Sequence, residues 1–355
     1  MKRLILFFYV LVSCTGILAQ PFLNAADEKL KAFVTVTKVP GLSISISKKG
    51  ALIYSAGFGF EDVENEIQVD PSRTKFRIGS VSKTYTASGL ALLYDQGKID
   101  LDVPIENYLP AWPKKAYFIT LRQLGGHLAG IRHYQGREFY SSQNYLTVTD
   151  GLAIFMNDSL INIPGTAYAY SSYGWNLIAA AMEKQLENGT TFLGFMEQEV
   201  FERLNMKNTI AEHMKSKIPR KTKFYEREGV EVTAASYVDN SYKWAGGGYV
   251  GTTEDLCRFG QAHMKAGFLT QSTLDEWMES QKTSNGIATD YGIGWRTFRR
   301  ENGEIYYGHS GSSVGGTTYF LIHKKSETVL AIAANLSPLN YEELPFELME
   351  MFIDI

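Results

Sequence analysis

The strongest constraint on this fold is that strand-patterned sequence lies at both ends of the chain, with a long stretch of a different character between. Leu42, Ile44 and Ile46 alternate with Ser43, Ser45 and Ser47, the two-residue period of a strand whose faces differ. Lys49-Gly50 then turns into a second strand, Ala51 to Phe58. Near the other end, Gly292 to Arg299, Gly303 to Gly308, Thr317 to His323 and Val329 to Asn335 carry β-rich composition with turn residues between them. Asn302-Gly303 is a tight-hairpin signal. The middle is helical in pattern. Leu90, Leu92 and Leu93 fall on one side of a helix that begins at Ser80 and stops near Gln96-Gly97, and Tyr173 to Leu186 and Phe192 to Leu204 read as two more. Asp27 to Thr37 and Glu342 to Phe352 add a helix at each end. The expected fold is α/β (α+β): one antiparallel sheet built from both termini and flanked by helices, with a mostly helical lobe inserted. Residues 27–355 form one unit, with a sheet lobe at about 27–75 and 285–355 and a helical lobe at about 80–284; no repeat or linker divides it.

The first residues are of another kind. Met1-Lys2-Arg3 is basic, Leu4 to Val12 is an unbroken apolar run, and small and polar residues follow to Ala19-Gln20. This reads as a signal peptide over residues 1–19 and an exported protein, because the run is too short for a stable membrane anchor. A second reading takes Leu11-Val12-Ser13-Cys14 as a lipoprotein box with Cys14 acylated. No later segment approaches spanning length. The net charge of −3 supplies no basic face for nucleic acid. The six histidines show no metal-ligand spacing, and no cofactor is called for. With the leader removed Cys257 stands alone, so no disulfide forms within the chain, and it reads as a small buried residue on a helix.

Chemistry enters with Ser-x-x-Lys, a nucleophile and an amine on the same face of a helix. The spacing occurs three times, at Ser45/Lys48, Ser72/Lys75 and Ser80/Lys83. Ser45 lies in an alternating strand, where residues three apart face opposite ways, and no apolar helix follows Ser72. Only Ser80 opens a long amphipathic helix, with Gly79 giving close backbone access and free N–H groups at the helix start. Taken alone, the pair is better read as an N-cap serine and a solvated first-turn lysine. Two further elements reverse that. In Pro164-Gly-Thr-Ala-Tyr168-Ala-Tyr170-Ser171-Ser172 a tyrosine sits at a loop-to-helix junction, where a nearby lysine favours its phenolate as a base; Tyr168 reads as a buried tyrosine. In Tyr307-Gly308-His309-Ser310-Gly311-Ser312, between two late strands, small residues admit a substrate and backbone N–H groups can serve an oxyanion. His309 reads either as a cationic or hydrogen-bonding wall or, more ordinarily for a lone histidine, as a partly exposed residue at a strand end.

These three elements, in this order, resemble the serine β-lactamase-like superfamily of class C β-lactamases, low-molecular-mass penicillin-binding proteins and related esterases. The resemblance runs from about Val39 to Asn335. Phe76-Arg-Ile-Gly-Ser80, Gly97-Lys-Ile-Asp-Leu-Asp102, Gly126-His-Leu-Ala-Gly-Ile-Arg-His-Tyr134 and Gly246-Gly-Gly-Tyr-Val-Gly-Thr-Thr253 resemble that family's connecting blocks, and His127 to Tyr134 especially the LACTB-like branch. The resemblance implies Ser80 as the acylated nucleophile, with Lys83 and Tyr170 sharing proton transfer. It implies the backbone N–H groups of Ser80 and Ser312 as the oxyanion hole, with His309, Ser310, Gly311 and Ser172 toward the substrate. His127 is read as structural. Two departures stand out: Ser172 holds a place commonly taken by Asn, and His309 one usually taken by Lys in true β-lactamases. A short hydroxyl and a mostly neutral imidazole grip a substrate amide or carboxylate less firmly. The implied activity is therefore peptidase or esterase on small peptide, amide or ester substrates through an acyl-enzyme, ahead of DD-peptidase or β-lactamase action. From another class, LACTB-like proteins assemble, which raises a silent scaffold or filament; the presence of every reactive side chain opposes it.

Overall fold

The structure, a computed structural model, describes residues 15–353 apart from residue 215. Most of the expected leader, including Cys14, lies outside the described residues. A helix α1 (Thr15–Thr37) leads into strands β1 (Gly41–Lys48), β2 (Ala51–Asp62) and β3 (Ile67–Gln68). The chain returns to the same sheet at the far end with β4 (Arg296–Arg299), β5 (Ile305–Ser313), β6 (Gly316–His323) and β7 (Thr328–Ala334). The order across this seven-stranded sheet is β3-β2-β1-β7-β6-β5-β4. The two ends of the chain meet where β1 pairs antiparallel with β7, Leu42 opposite Ala334. One sheet from both termini is thus the observed architecture.

The alternation in β1 has a fuller cause than one wet face. Leu42, Ile44 and Ile46 pack with Leu330, Ile332 and Leu321 against Ala26 and Leu30 of α1 and against Leu348, Met349 and Phe352 of a last helix. The serines are buried as well. They face a helix, Thr253–Ala262, where Ser43 and Ser45 each bond the Thr253 hydroxyl at 2.8 Å and Ser47 accepts from Gln261 at 3.0 Å. β7, with both faces covered, is apolar from Val329 on, since Val329 and Ala331 join Leu256 and Phe259 of that helix. The helix comes from the range read as the helical lobe, yet it forms a layer of the sheet. Cys257 sits on it, buried, its thiol 3.3 Å from the Ser45 carbonyl.

Within the insertion, α2 (Ser82–Asp95) is buried from Ser82 to Leu93, and α3 (Tyr173–Lys184) packs beside it. The expected single helix from Phe192 to Leu204 is instead an α-helical turn, Phe192–Phe195, passing into a wider π-helical segment, Met196–Glu202. The late strands also shift: residues 292–295 precede the strand at Arg296, and the motif placed between two strands lies inside β5. Two small sheets went unread. Tyr225–Glu228 pairs with Glu231–Ala234 and Leu336–Ser337, and Tyr249–Gly251 lies between Phe76–Arg77 and Ile210–Ala211. They are two to four residues long and partly charged, too short to show a period. Among the described residues no helix is long and apolar enough to cross a membrane.

Candidate active site

The turn that carries Ser80 is seated by two glycines. Gly79 has a left-handed backbone (φ 51°), and a Cβ there would stand 2.6–2.8 Å from the backbone of Ser312. On β5, a Cβ on Gly311 would stand 1.9 Å from the Ile78 carbonyl and 3.1 Å from the Ser80 amide. The turn Gly79–Val81 therefore lies against β5 with no side chain between, and the amides of Ser80 and Ser312 flank the contact. Ser80 is half-buried. It is not a helix cap, because neither Gly79–Val81 nor α2 has a side-chain cap hydrogen bond at its start.

Lys83 is fully buried. Its Nζ lies 3.0 Å from Ser80 Oγ, 2.9 Å from Ser172 Oγ and 2.6 Å from the Gly246 carbonyl. It makes no ion pair with a carboxylate among the described residues. Burial first, and the charge of Lys243 second, hold its amine well below the ordinary lysine range. A neutral amine has two N–H donors and one lone pair. In that state Gly246 O and Ser172 Oγ would take the donors and the lone pair would face the Ser80 hydroxyl. The other two Ser-x-x-Lys pairs are spent structurally. Ser45 is bonded to Ser55 and Thr253 within the sheet, while Ser72 Oγ donates to Asp70 at 2.7 Å and Lys75 donates to Asn208 at 2.9 Å.

Tyr170 donates its O–H to Ser80 Oγ at 2.8 Å. Its expected phenolate is corrected: Lys83 Nζ sits over the ring, 5.0 Å from its centroid, and burial pushes the phenol above its ordinary range. Tyr170 is a neutral donor to Ser80, beside the amine of Lys83. Ser172 is buried and hydrogen-bonds Lys83, with its N–H donating to His133 Nδ1 at 3.2 Å. Its hydroxyl is thus engaged by the Lys83 amine.

His309 is corrected on both of its readings. It is 2% exposed. Nδ1 lies 2.5 Å from the Ser310 carbonyl, which can only accept, so Nδ1 carries the proton and Nε2 accepts from Tyr291 O–H at 2.8 Å. Burial, then the neighbouring Lys83, brings its pKa down to about 3. It is a neutral, fully engaged ring, neither a cationic wall nor an exposed strand end. Ser310 is half-buried and Ser312 exposed, and their hydroxyls make no hydrogen bond among the described residues. His127 is buried, with Nδ1 accepting from Ser171 N–H at 3.1 Å and its ring 4.4 Å from that of Tyr170. It props the tyrosine, as a structural residue does. Tyr168 is less buried than expected, at 36% exposure.

Sequence reasoning passed over Arg296 and Lys243. Arg296, half-buried at the start of β4, lies opposite Gly308 of β5. Its charge acts on Tyr168, Tyr170, His127 and His309, and no carboxylate pairs with it among the described residues. It lines a cavity of about 370 Å³ with Tyr168, Asp290 and Phe298. Nothing in the stretch Trp295-Arg-Thr-Phe signals this, since the position follows from the β4–β5 register. A larger cavity, of about 790 Å³, lies at the Lys184 end of α3 between Trp112, Tyr145 and Leu152. It contains neither Ser80 nor Lys83 and is separated from them by the length of the helix.

The chain is similar to known proteins in sequence and in fold. The family model described as Beta-lactamase matches residues 26–346. The human serine beta-lactamase-like protein LACTB, named as mitochondrial, is 28% identical over 378 residues, covering 80% of this chain and 68% of its own. Among solved structures, the octameric penicillin-binding protein homologue from Pyrococcus abyssi superposes with a TM-score of 0.80 at 22% identity, covering 93% of this chain and 77% of the other. A D-stereospecific amidohydrolase from Streptomyces gives 0.77 at 23% identity, covering 92% and 98%.

Proposed function

The chain belongs to the Beta-lactamase family, and from that premise we propose that it is a serine hydrolase, cleaving peptide, amide or ester bonds through an acyl-enzyme on Ser80. The observation that carries this reading is Lys83: fully buried, without a carboxylate partner among the described residues, and 3.0 Å from the Ser80 hydroxyl. Burial holds a lysine in that setting below its ordinary range, which favours the uncharged amine as a base.

In the proposed reaction Ser80 Oγ attacks the substrate carbonyl carbon while its proton passes to Lys83. The oxyanion is met by the N–H groups of Ser80 and Ser312. The bond to the leaving group breaks as Tyr170 delivers its phenolic proton to the leaving atom, and the proton on Lys83 restores the phenol. Water then attacks the acyl-enzyme with Lys83 again as base, freeing the acid and Ser80. The leader reading is kept as part of the proposal: residues 1–19 are removed on export, so that the mature chain begins at Gln20. Intact-protein mass spectrometry after incubation with a fluorescent penicillin and with a phenyl ester tests both points. One adduct per chain, mapped by digestion to the peptide holding Ser80, is expected on a chain starting at Gln20. An adduct elsewhere would sink the nucleophile assignment, and a retained leader would sink export.

Arg296 favours a more specific reading, in which the substrate carries a carboxylate near the scissile bond, as in a carboxypeptidase acting on cell-wall peptides. With His309 neutral, Arg296 is a cation on the strand side that has no carboxylate partner among the described residues, whereas Arg299 is paired with Asp290 and Arg300 with Glu343. Arg296→Gln is expected to raise KM about tenfold for a peptide with a free carboxylate, the worth of one exposed charge-assisted hydrogen bond, and to leave a neutral ester unchanged. Equal effects on both substrates would remove this reading and leave the general one standing.

A further inference from the structure

Lys243 is a second lysine in the same interior. It is 2% exposed, and among the described residues its ammonium has no ion pair and no hydrogen bond. Aromatic faces surround it, with Nζ 4.4 Å from the ring centre of Phe139, 5.2 Å from that of Tyr242 and 5.4 Å from that of Tyr134. Such faces stabilise a cation without neutralising it. A carboxylate in the same place would cancel its field. The two carboxylates of the neighbourhood are already committed: Glu212 to Arg77, Lys221 and Asn240, and Glu138 to Arg132 and Tyr173.

The position of Lys243 relative to the proposed base is fixed by the backbone. Lys243 immediately precedes the short helix Trp244–Gly247, whose Gly246 carbonyl accepts from Lys83 at 2.6 Å. A Cβ on Gly247 would touch Lys243 Cδ on one side and the Gly79 backbone on the other, each at 3.8 Å. The lysine stem therefore lies along the segment that holds Lys83 and faces the nucleophile turn. That segment is pinned by Trp244 Nε1 donating to Glu212 O at 2.9 Å and by Asn176 donating to Tyr242 O at 2.7 Å.

We propose that Lys243 is a positioning residue of the site, whose caged ammonium keeps the Lys83 amine unprotonated and so ready to take the proton of Ser80. The inference rests on the reading of Lys83 as base. The other titratable groups facing Lys83 are Tyr170, His127, His133 and His309, and none is anionic: the phenol is held protonated and the imidazoles neutral, His133 brought down to about 4. Arg296 acts from the strand side, on Tyr170, His127 and His309. Around Lys243 stand Arg77, Glu212, His133, Tyr134 and Tyr242. Burial with Arg77 brings Lys243 itself down to about 7. Its charge is thus present below that pH and lost as the pH rises through it.

The test is an NMR titration of the full chain labelled with ¹³C at lysine Cε, with the Lys83 resonance assigned by Lys83→Arg. Lys243→Met and, as a second neutral variant, Lys243→Gln are expected to raise the Lys83 midpoint by about one pH unit, the usual size of one like-charge neighbour. The acid limb of Ser80 acylation should move with it, and Lys243→Arg should keep the wild-type midpoint. A Lys83 midpoint unmoved in the folded neutral variants overturns the proposal, even if acylation slows. A midpoint that moves while the wild type never acylates at Ser80 upholds it and instead overturns the hydrolase reading.

Discussion

Lys83→Met is expected to slow acylation of Ser80 by about three to four orders of magnitude, the range lost when a positioned general base is removed. Methionine keeps the length and the apolar stem, so the fold is expected to survive. The losses are the two donated hydrogen bonds to Gly246 O and Ser172 Oγ, at about 1–3 kcal/mol for a buried acceptor left unpaired. The lysine's own charge stabilises nothing there, because burial already disfavours it. The pH dependence has a definite sign. A lowered amine pKa means the base is free above that value, so wild-type acylation should rise from acid pH and reach its plateau below the ordinary lysine range. Lys83→Met should be flat over the same interval, with the phenol of Tyr170 still protonated. In the proposed mechanism Ser80 and Lys83 act as one unit, so Ser80→Ala and the double variant should hydrolyse a phenyl ester at the same residual rate. A Lys83→Met enzyme within tenfold of wild type would remove the amine from the mechanism and leave Tyr170 to be tested as the base.

The sheet was legible because its two ends carry their own periods. The alternation of Leu42, Ile44 and Ile46 with serine, and the apolar run through β7, each encode which faces are covered. What the alternation could not say was that Ser43 and Ser45 meet a helix and not water, since Thr253 is brought to them only by the tertiary fold. The choice of Ser80 over Ser45 and Ser72 was legible from the helix that follows it. The state of the groups around it was not. A proton on Tyr170, the neutral ring of His309 and the cage of Lys243 depend on burial and on partners far along the chain: His309 on Tyr291, Lys243 on Phe139 and Tyr134. Arg296 is placed by its pairing with Gly308, and a register of that kind leaves no mark in the residues on either side.

Gly311→Ala is expected to lower kcat by about two to three orders of magnitude, as loss of oxyanion donors does, though the substitution adds one methyl group and removes no polar atom. The reason is where that methyl would go. Its nearest neighbours are backbone, the Ile78 carbonyl oxygen at 1.9 Å, its carbon at 2.9 Å and the Ser80 amide at 3.1 Å. No rotamer change can relieve a contact of that kind, so β5 or the nucleophile turn must retreat. Gly79, itself left-handed and hard against Ser312, offers no slack from the other side. The retreat separates the amides of Ser80 and Ser312, and a displacement of about 1 Å in a reacting constellation costs about a hundredfold or more. Stability should fall by about 1–3 kcal/mol, the usual cost of overpacking. Gly303→Ala separates the two effects: Gly303 is left-handed (φ 84°) with nothing within 4 Å of the added carbon. It should cost about 1–2 kcal/mol of backbone strain and leave kcat alone. Urea denaturation and single-turnover acylation on both variants decide the matter. If Gly311→Ala acylates at the wild-type rate, the two amides are not the oxyanion donors, and the role of β5 is to hold the turn and nothing more.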